Sequence, residues 1–259
     1  MANKIKFNIK KEKFADFIDK LEDLCKIDDT LKFKIDSSNI LIYSMLGGNV
    51  MLAFKNYLLQ TNDYFDISDI DFTIDLIIPD CKKFVKNLNF LSNSDKLTFE
   101  IQYKESQDDE NIMVARSLQL VGGKLKINWI CGENYEMRDI NKTTLAQRLN
   151  LKNRKWSFSV EKSDFSDIKK LSSINSSKVM NINVIEGKVI LSESSAWELQ
   201  IATIENRTSN LILNKRFLSC IDDSLEMVEF SMFDSFILVK TQETNLMLSY
   251  EQDFSDDDV

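Results

Sequence analysis

Residues 6–25 read KFNIKKEKFADFIDKLEDLC, and residues 157–171 read SFSVEKSDFSDIKKL. Each stretch opens on a short alternating strand, Lys6 to Ile9 in the first and Ser157 to Val160 in the second, and runs directly into a helical apolar pattern. In the first, Phe14, Phe17, Ile18, Leu21, Leu24 and Cys25 fall on one stripe of an α-helix. In the second, Phe165, Ile168 and Leu171 repeat that spacing, and Ser163 stands where a side chain caps the first turn. One strand–helix unit written twice predicts two similar halves.

The sequence downstream of each helix also matches. Leu31, Phe33 and Ile35 alternate with polar neighbours, a polar turn follows at Asp36 to Asn39, and Ile40 to Tyr43 returns as a second strand. The other half offers Val179 to Val184, a turn at Glu186-Gly187, and Val189 to Leu191. Both read as β-hairpins. Third strands are predicted at Asn49 to Phe54 and Trp197 to Ile204. A second helix is predicted in each half, after Pro79 from Asp80 to Leu88 and from Asn214 to Ile221. Further strands follow at 96–103, 112–120 and 124–130, and at 225–233, 235–241 and 245–250. The expected fold class is α+β, two similar domains each with two helices packed on antiparallel sheet. The expected boundaries are residues 1–132 and 152–250 for the domains, 133–151 for a connector with a helical turn near 144–149, and 251–259 for an acidic tail. A connector of that length is more often functional than idle.

Composition supports two cores: 43% of the 259 residues are apolar, with 17 Phe. With only 6 Gly and 1 Pro, collagenous and low-complexity classes are excluded, and Asn, Asp and Ser must supply most turns. The N-terminus lacks a signal-peptide core and no apolar run approaches a spanning helix, so a cytoplasmic location is expected, in the host cell if the protein is viral. Cys25, Cys81, Cys131 and Cys220 are far apart and without a C-x-x-C, which reads as reduced, buried thiols. The net charge of −8 is concentrated at the end, where residues 251–259 hold five acids and no base, leaving −3 for residues 1–250. An acidic total therefore does not exclude DNA, but it argues against tight binding by bulk charge.

The chain carries no His, which removes Ser–His and Cys–His nucleophilic systems and most zinc sites. No phosphate-cradling glycine motif is present, and the pairs Gly47-Gly48 and Gly122-Gly123 suit hairpin turns. Asp63, Asp66, Asp69, Asp71 and Asp75 admit a divalent-metal reading, but alternation with Ile70, Phe72 and Ile74 favours a strand with one wet face. Residues 105–110 read as an acidic hairpin tip. No enzyme activity, cofactor or metal is expected.

The basic residues follow a pattern. Lys82, Lys83 and Lys86 fall opposite Phe84, Leu88 and Leu91 at ~100° per residue. Lys169 and Lys170 avoid the face of Phe165 and Ile168, and Lys215 and Arg216 flank the side away from Phe217. Three of four predicted helices thus turn basic residues away from their cores, either as solvated faces or toward one polyanion. The first helix departs from this, with Asp16, Asp19 and Asp23 predicted on its outward face.

The order strand–helix–three strands–helix–three strands, present twice and joined by a long connector, resembles the two-domain DNA polymerase sliding clamps, the family of proliferating cell nuclear antigen and the phage processivity clamps. The resemblance covers nearly the whole chain and rests on pattern. It implies a homotrimeric ring around duplex DNA, with sheets outside and helices lining the hole. The Lys-, Asn- and Ile-rich composition resembles viral versions. On that reading Lys82, Lys83, Lys86, Lys169, Lys170, Lys215 and Arg216 touch DNA without sequence preference. An ATP-dependent loader must be a separate protein, and the replicative polymerase docks through a short peptide. The resemblance puts that peptide in an apolar pocket beside the connector, formed by Met137, Ile140, Leu145 and Tyr250, residues that would equally serve to pin the connector. The ring seam is expected between edge strands of the two halves, at 112–120 and 225–233 or their neighbours. The rival reading is a monomeric polymerase accessory factor or a phage structural protein with the same repeat, and native mass separates the two.

Overall fold

The computed structural model describes residues 3–47, 52–67, 70–106, 111–133, 140, 142–174, 177–193, 196–221, 225–241 and 244–250, with backbone alone at 142–144, 216 and 217. The chain divides into two compact units, Met1–Gly48 with Phe54–Ile140, and Asn49–Ala53 with Asn141–Val259.

Unit 1 contains β1 (Asn3–Ile9), α1 (Phe14–Leu24), β2 (Leu31–Ile35), β3 (Asn39–Leu46), β4 (Ala53–Gln60), a single turn α2 (Thr61–Tyr64), β5 (Phe65–Asp66), β6 (Thr73–Ile78), α3 (Cys81–Leu91), β7 (Leu97–Glu105), β8 (Ile112–Gly122) and β9 (Leu125–Ile130). Its strands run in the order β4-β3-β2-β6-β8-β7-β1-β5, with β9 also paired to β8. β1 with β7, β2 with β6, β7 with β8 and β8 with β9 pair antiparallel, and β6 with β8 is parallel at Thr73↔Ile112. The period-two residues Phe7, Phe33, Ile42, Phe99 and Leu118 turn one sheet face onto α1 and α3 and form the core with Phe17, Leu21, Phe84 and Leu88. Each fully buried Leu or Phe of that kind contributes about 1.5–3 kcal/mol. Cys25 and Cys81 join α1 to α3 through their sulfurs, with Cα atoms 5.9 Å apart, which corrects the reading of four separate thiols. Cys131 and Cys220 are free and buried, and burial pushes the Cys131 thiol up to about 12.

The opposite face of β2 and β6 is also buried. Asp75 and Lys32 are 3% and 1% exposed and lie 3.1 Å apart, with Lys34 at 3.8 Å from the other carboxylate oxygen. The expectation of a wet strand face at Asp75 therefore fails: the carboxylate lies between two buried lysines, where charge balance replaces water. Asp69 lies outside the described residues, and among the described residues no cluster of three His, Cys, Asp or Glu is suited to a metal.

Unit 2 contains α4 (Lys142–Arg148), β10 (Trp156–Glu161), α5 (Lys162–Ile174), β11 (Val179–Ile185), β12 (Lys188–Glu193), β13 (Trp197–Thr203), β14 (Ser209–Asn214), β15 (Met227–Met232), β16 (Phe236–Lys240) and β17 (Thr244–Ser249). They form two antiparallel runs, β10-β15-β16-β17 and β13-β12-β11-β14. The β11–β12 turn uses Glu186 at φ 50° and Gly187 at φ 82°, the two left-handed positions of a primed hairpin turn. A side chain at Gly187 would meet the Ile204 carbonyl at 2.6 Å.

Four sequence expectations shift. The third strand of the first half is β4, later than predicted, and residues 48–51 lie outside the described set. The predicted helix at 214–221 is a 3-10 run, Lys215–Cys220, because six residues hold too few apolar positions for an α-helical stripe. Strand β14 was absent from the prediction. The seam strands predicted at 112–120 and 225–233 are interior: β8 lies against β6, β7 and β9, and β15 between β10 and β16. Among the described residues the open edges are β9 and β5 in unit 1, and β10, β13 and β14 in unit 2. Residues 107–110 and the acidic tail 251–259 lie outside the described residues.

Candidate nucleic-acid interface

Helix α3 is built to present one basic face. Asp80, held at φ 54°, accepts from the Lys83 backbone N–H at 3.2 Å and caps the helix. Cys81, Phe84, Val85, Leu88 and Leu91 then fall inward, and Lys82, Lys83 and Lys86 fall outward. No acidic residue occurs from Cys81 to Leu91. Lys82 pairs with Asp29 at 2.8 Å, both about two-thirds exposed, an arrangement that contributes little and yields readily to a competing anion. The Lys83 ammonium lies 5.9 Å from the Trp129 ring, and Lys86 is exposed with no ion-pair partner among the described residues.

Helix α1 packs beside α3 but is not the acidic face that its spacing suggested. Asp16 receives Lys20 at 2.6 Å and the Tyr64 hydroxyl. Burial works against its charge, and those hydrogen bonds outweigh it, holding the carboxyl below its ordinary value. Asp23 accepts from the Tyr57 hydroxyl at 2.6 Å and pairs with Lys55 and Lys26. Asp19 alone of the three is fully exposed. The helix seam is thus tied by internal ion pairs, with less outward acid than the sequence implied.

In unit 2 the predicted lysines separate into two kinds. Lys170 is 71% exposed and pairs with Asp167 at 3.1 Å. Lys169 bends back, donating to the Ile221 carbonyl at 2.9 Å with its ammonium 5.0 Å from the Phe165 ring. Lys215 turns inward, 13% exposed, against Glu193 at 2.5 Å and the Ser172 carbonyl at 2.8 Å. Glu193 also accepts from Trp197 Nε1 at 3.2 Å. Lys215 therefore fastens the 3-10 run to α5 and β12 and does not stand free to meet phosphate, as its place opposite Phe217 had suggested. The Arg216 side chain lies outside the described residues. The buried carboxylate Glu193 was missed by sequence reasoning; its one signal was the pattern Val189, Leu191, Glu193 on the inward phase of β12.

Of the expected peptide residues, Met137 lies outside the described residues, Leu145 is buried, and Ile140 is half-buried. Tyr250 donates to the Phe233 carbonyl at 2.9 Å, and burial raises its phenol above the ordinary range.

No known family pattern and no characterised protein matches this sequence. Solved structures do match its fold. The DNA polymerase III beta chain of Streptococcus pneumoniae superposes with a TM-score of 0.66 at 13% identity, over 97% of this chain and 66% of that one. The DNA polymerase sliding clamp of Bacillus subtilis gives 0.65 at 11%, over 98% and 67%. The proliferating cellular nuclear antigen of Entamoeba histolytica gives 0.60 at 15%, over 97% and 100%. The chain has the sliding-clamp fold. It spans about two thirds of the bacterial beta chains it matches and the whole of the Entamoeba protein.

Proposed function

We propose that this protein is a sliding clamp, a ring that encircles duplex DNA and tethers a replicative polymerase by topology. The observation that carries the reading is the clamp fold together with an α3 that carries no acid of its own and turns Lys82, Lys83 and Lys86 outward. Linkage needs only weak, sequence-independent phosphate contacts, which suits a chain of net charge −8. In unit 2 Lys170 and Arg216 are the proposed phosphate contacts, and Lys169 and Lys215 act through the elements they fasten.

A chain of two similar units with unlike ends favours a head-to-tail homotrimer, since a heterologous contact that closes by rotation makes a ring. The seam moves from the interior strands to open edges: β9, paired on one side only, with an edge strand of unit 2 in the neighbouring copy, β13 by preference for its half-buried Trp197, Leu199 and Ile201. An ATP-driven loader opens the ring, and the polymerase peptide docks beside the connector at Met137, Ile140, Leu145 and Tyr250.

Sedimentation across a dilution series should give three times the 30.1 kDa of one chain. The ring should persist on circular DNA and run off the linear form. A monomer at every concentration, with equal retention on both DNAs, refutes the proposal and favours a monomeric accessory or structural protein.

A further inference from the structure

The sheet of unit 1 has a second surface, turned away from α1 and α3, that the clamp reading does not use. Cross-strand register lays it out in rows. Lys6 opposes Glu100, Glu100 opposes Gln119, and Gln119 opposes Asn128, across β1, β7, β8 and β9. The row on one side begins at Lys4, opposite Gln102, and the row on the other ends at Lys126, opposite Val121. Residues directly opposite in such ladders stand about 4.5–5.5 Å apart; the middle row is polar throughout, and the outer rows are polar except for Val121 and the exposed Ile130. Two hollows of about 340 and 280 Å³ indent the face on either side of Glu100.

The charge of this face is one-sided. Lys4, Lys6, Lys96 and Lys126 line the hollows against a single carboxylate, Glu100. Glu100 is held by Lys6 at 2.8 Å and Lys4 at 3.1 Å, which keep it ionised below its ordinary range. Lys96 and Lys126 are exposed and have no ion-pair partner among the described residues. Among the described residues the one other acid in line with the rows is Asp66, at the far end beyond Asn8. The floor between the lysines is amide and hydroxyl: Thr98 donates to Asn8 at 2.7 Å and Gln119 to Asn128 at 2.6 Å, leaving donors and acceptors of both kinds.

We propose that this outer sheet face is a docking surface for an acidic, extended peptide segment of a partner protein. Charge complementarity selects an anionic occupant, and the floor selects among anions. A nucleic acid strand would want aromatic platforms for its bases, and none lines the open floor of the Lys6 row, where Trp129 points to the core. Its phosphates accept hydrogen bonds only, whereas the floor also offers acceptors, Glu100 among them, that suit backbone N–H groups. Docking on the face leaves the edge of β9 open for the proposed seam.

The test uses the full chain and a fluorescent alternating Asp-Ser dodecapeptide, followed by anisotropy at low salt, with labelled dodecathymidylate in parallel. The peptide is expected to bind, and to weaken as salt rises. Each exposed lysine–carboxylate pair accounts for about a 1.4- to 5-fold change, so Lys96→Glu with Lys126→Glu should weaken binding about tenfold or more. Glu100→Gln, which removes the central negative charge, should tighten it. Equal peptide binding by parent and double variant overturns the proposal, as does tighter, variant-sensitive binding of the oligothymidylate. Trimer mass and retention on circular DNA are read separately, so failure here is distinguishable from failure of the clamp reading.

Discussion

Replacing Asp75 by Asn tests whether the buried charge cluster of unit 1 is held as the structure depicts. Asp75 is 3% exposed and Lys32 1%, at 3.1 Å. At an effective dielectric near 20, unit charges at that distance attract by about 5 kcal/mol, which roughly offsets the cost of removing both from water. Asn keeps the shape and removes the charge, so Lys32 and Lys34 stay desolvated without that carboxylate between them. Breaking one side of a buried pair costs about 3–5 kcal/mol. Replacing the closest pair by apolar groups, as Lys32→Met with Asp75→Leu, should cost less than the two single changes together, because both charges of that pair are removed at once and only Lys34 stays buried without its carboxylate. The assay is guanidinium unfolding followed through Trp129, which packs on Phe84 of unit 1 at 5.4 Å, in a background of Trp156→Phe and Trp197→Phe. A loss below about 1 kcal/mol in Asp75→Asn, or strict additivity in the double variant, would refute the reasoning.

In unit 2, Lys215→Ala should destabilise by about 3 kcal/mol, since it strands Glu193 at 1% exposure, and Trp197 fluorescence should report the change. Lys83→Ala with Lys86→Ala should leave trimer mass and melting temperature unchanged while flattening the salt dependence of DNA binding by about 0.9 per lost phosphate contact. Glu100 has its carboxyl depressed below the ordinary 4.5 by Lys6 and Lys4. Its contribution to stability is therefore complete above pH 4.5 and is lost as pH falls through the lower, folded value. Glu100→Gln should correspondingly blunt the acid-side loss of stability relative to the parent, as followed by melting temperature against pH.

Much of the fold was legible because the repeat writes its periods plainly. The stripe from Phe14 to Cys25 and the alternation of Phe158 and Val160 with Ser159 and Glu161 each have one buried face, and burial forces the period. The reading failed where both faces are buried. In β2 and β6, Lys32, Lys34 and Asp75 sit at the alternating polar positions that normally mean water, yet all are buried. A single sequence shows that a position is polar but not that its partner lies on another strand: Lys32 and Asp75 meet only because β2 pairs with β6 in a register that sets Lys34 opposite Asp75. The join between Cys25 and Cys81 was hidden for the same reason, at a separation of 56 residues.

The candidate site shows what separates a legible lysine from an illegible one. On α3 the helical period sorts residues into inward and outward faces, and with no acid along the helix the one ion pair its lysines make among the described residues, Lys82 with Asp29, comes from a neighbouring segment and stays at the exposed surface. At Lys215 the period argument had no regular α-helix to act on, since the segment is a 3-10 run, and the carboxylate that captures it comes from β12, 22 residues upstream. Lys169 illustrates the intermediate case: the α5 period turns it outward, but a flexible stem lets the ammonium return to the Ile221 carbonyl. A basic face inferred from spacing is therefore secure only where the whole element is acid-free and regular. By that criterion α3 should carry the DNA contacts of unit 1, and in unit 2 Lys170 should contribute more than Lys169 or Lys215.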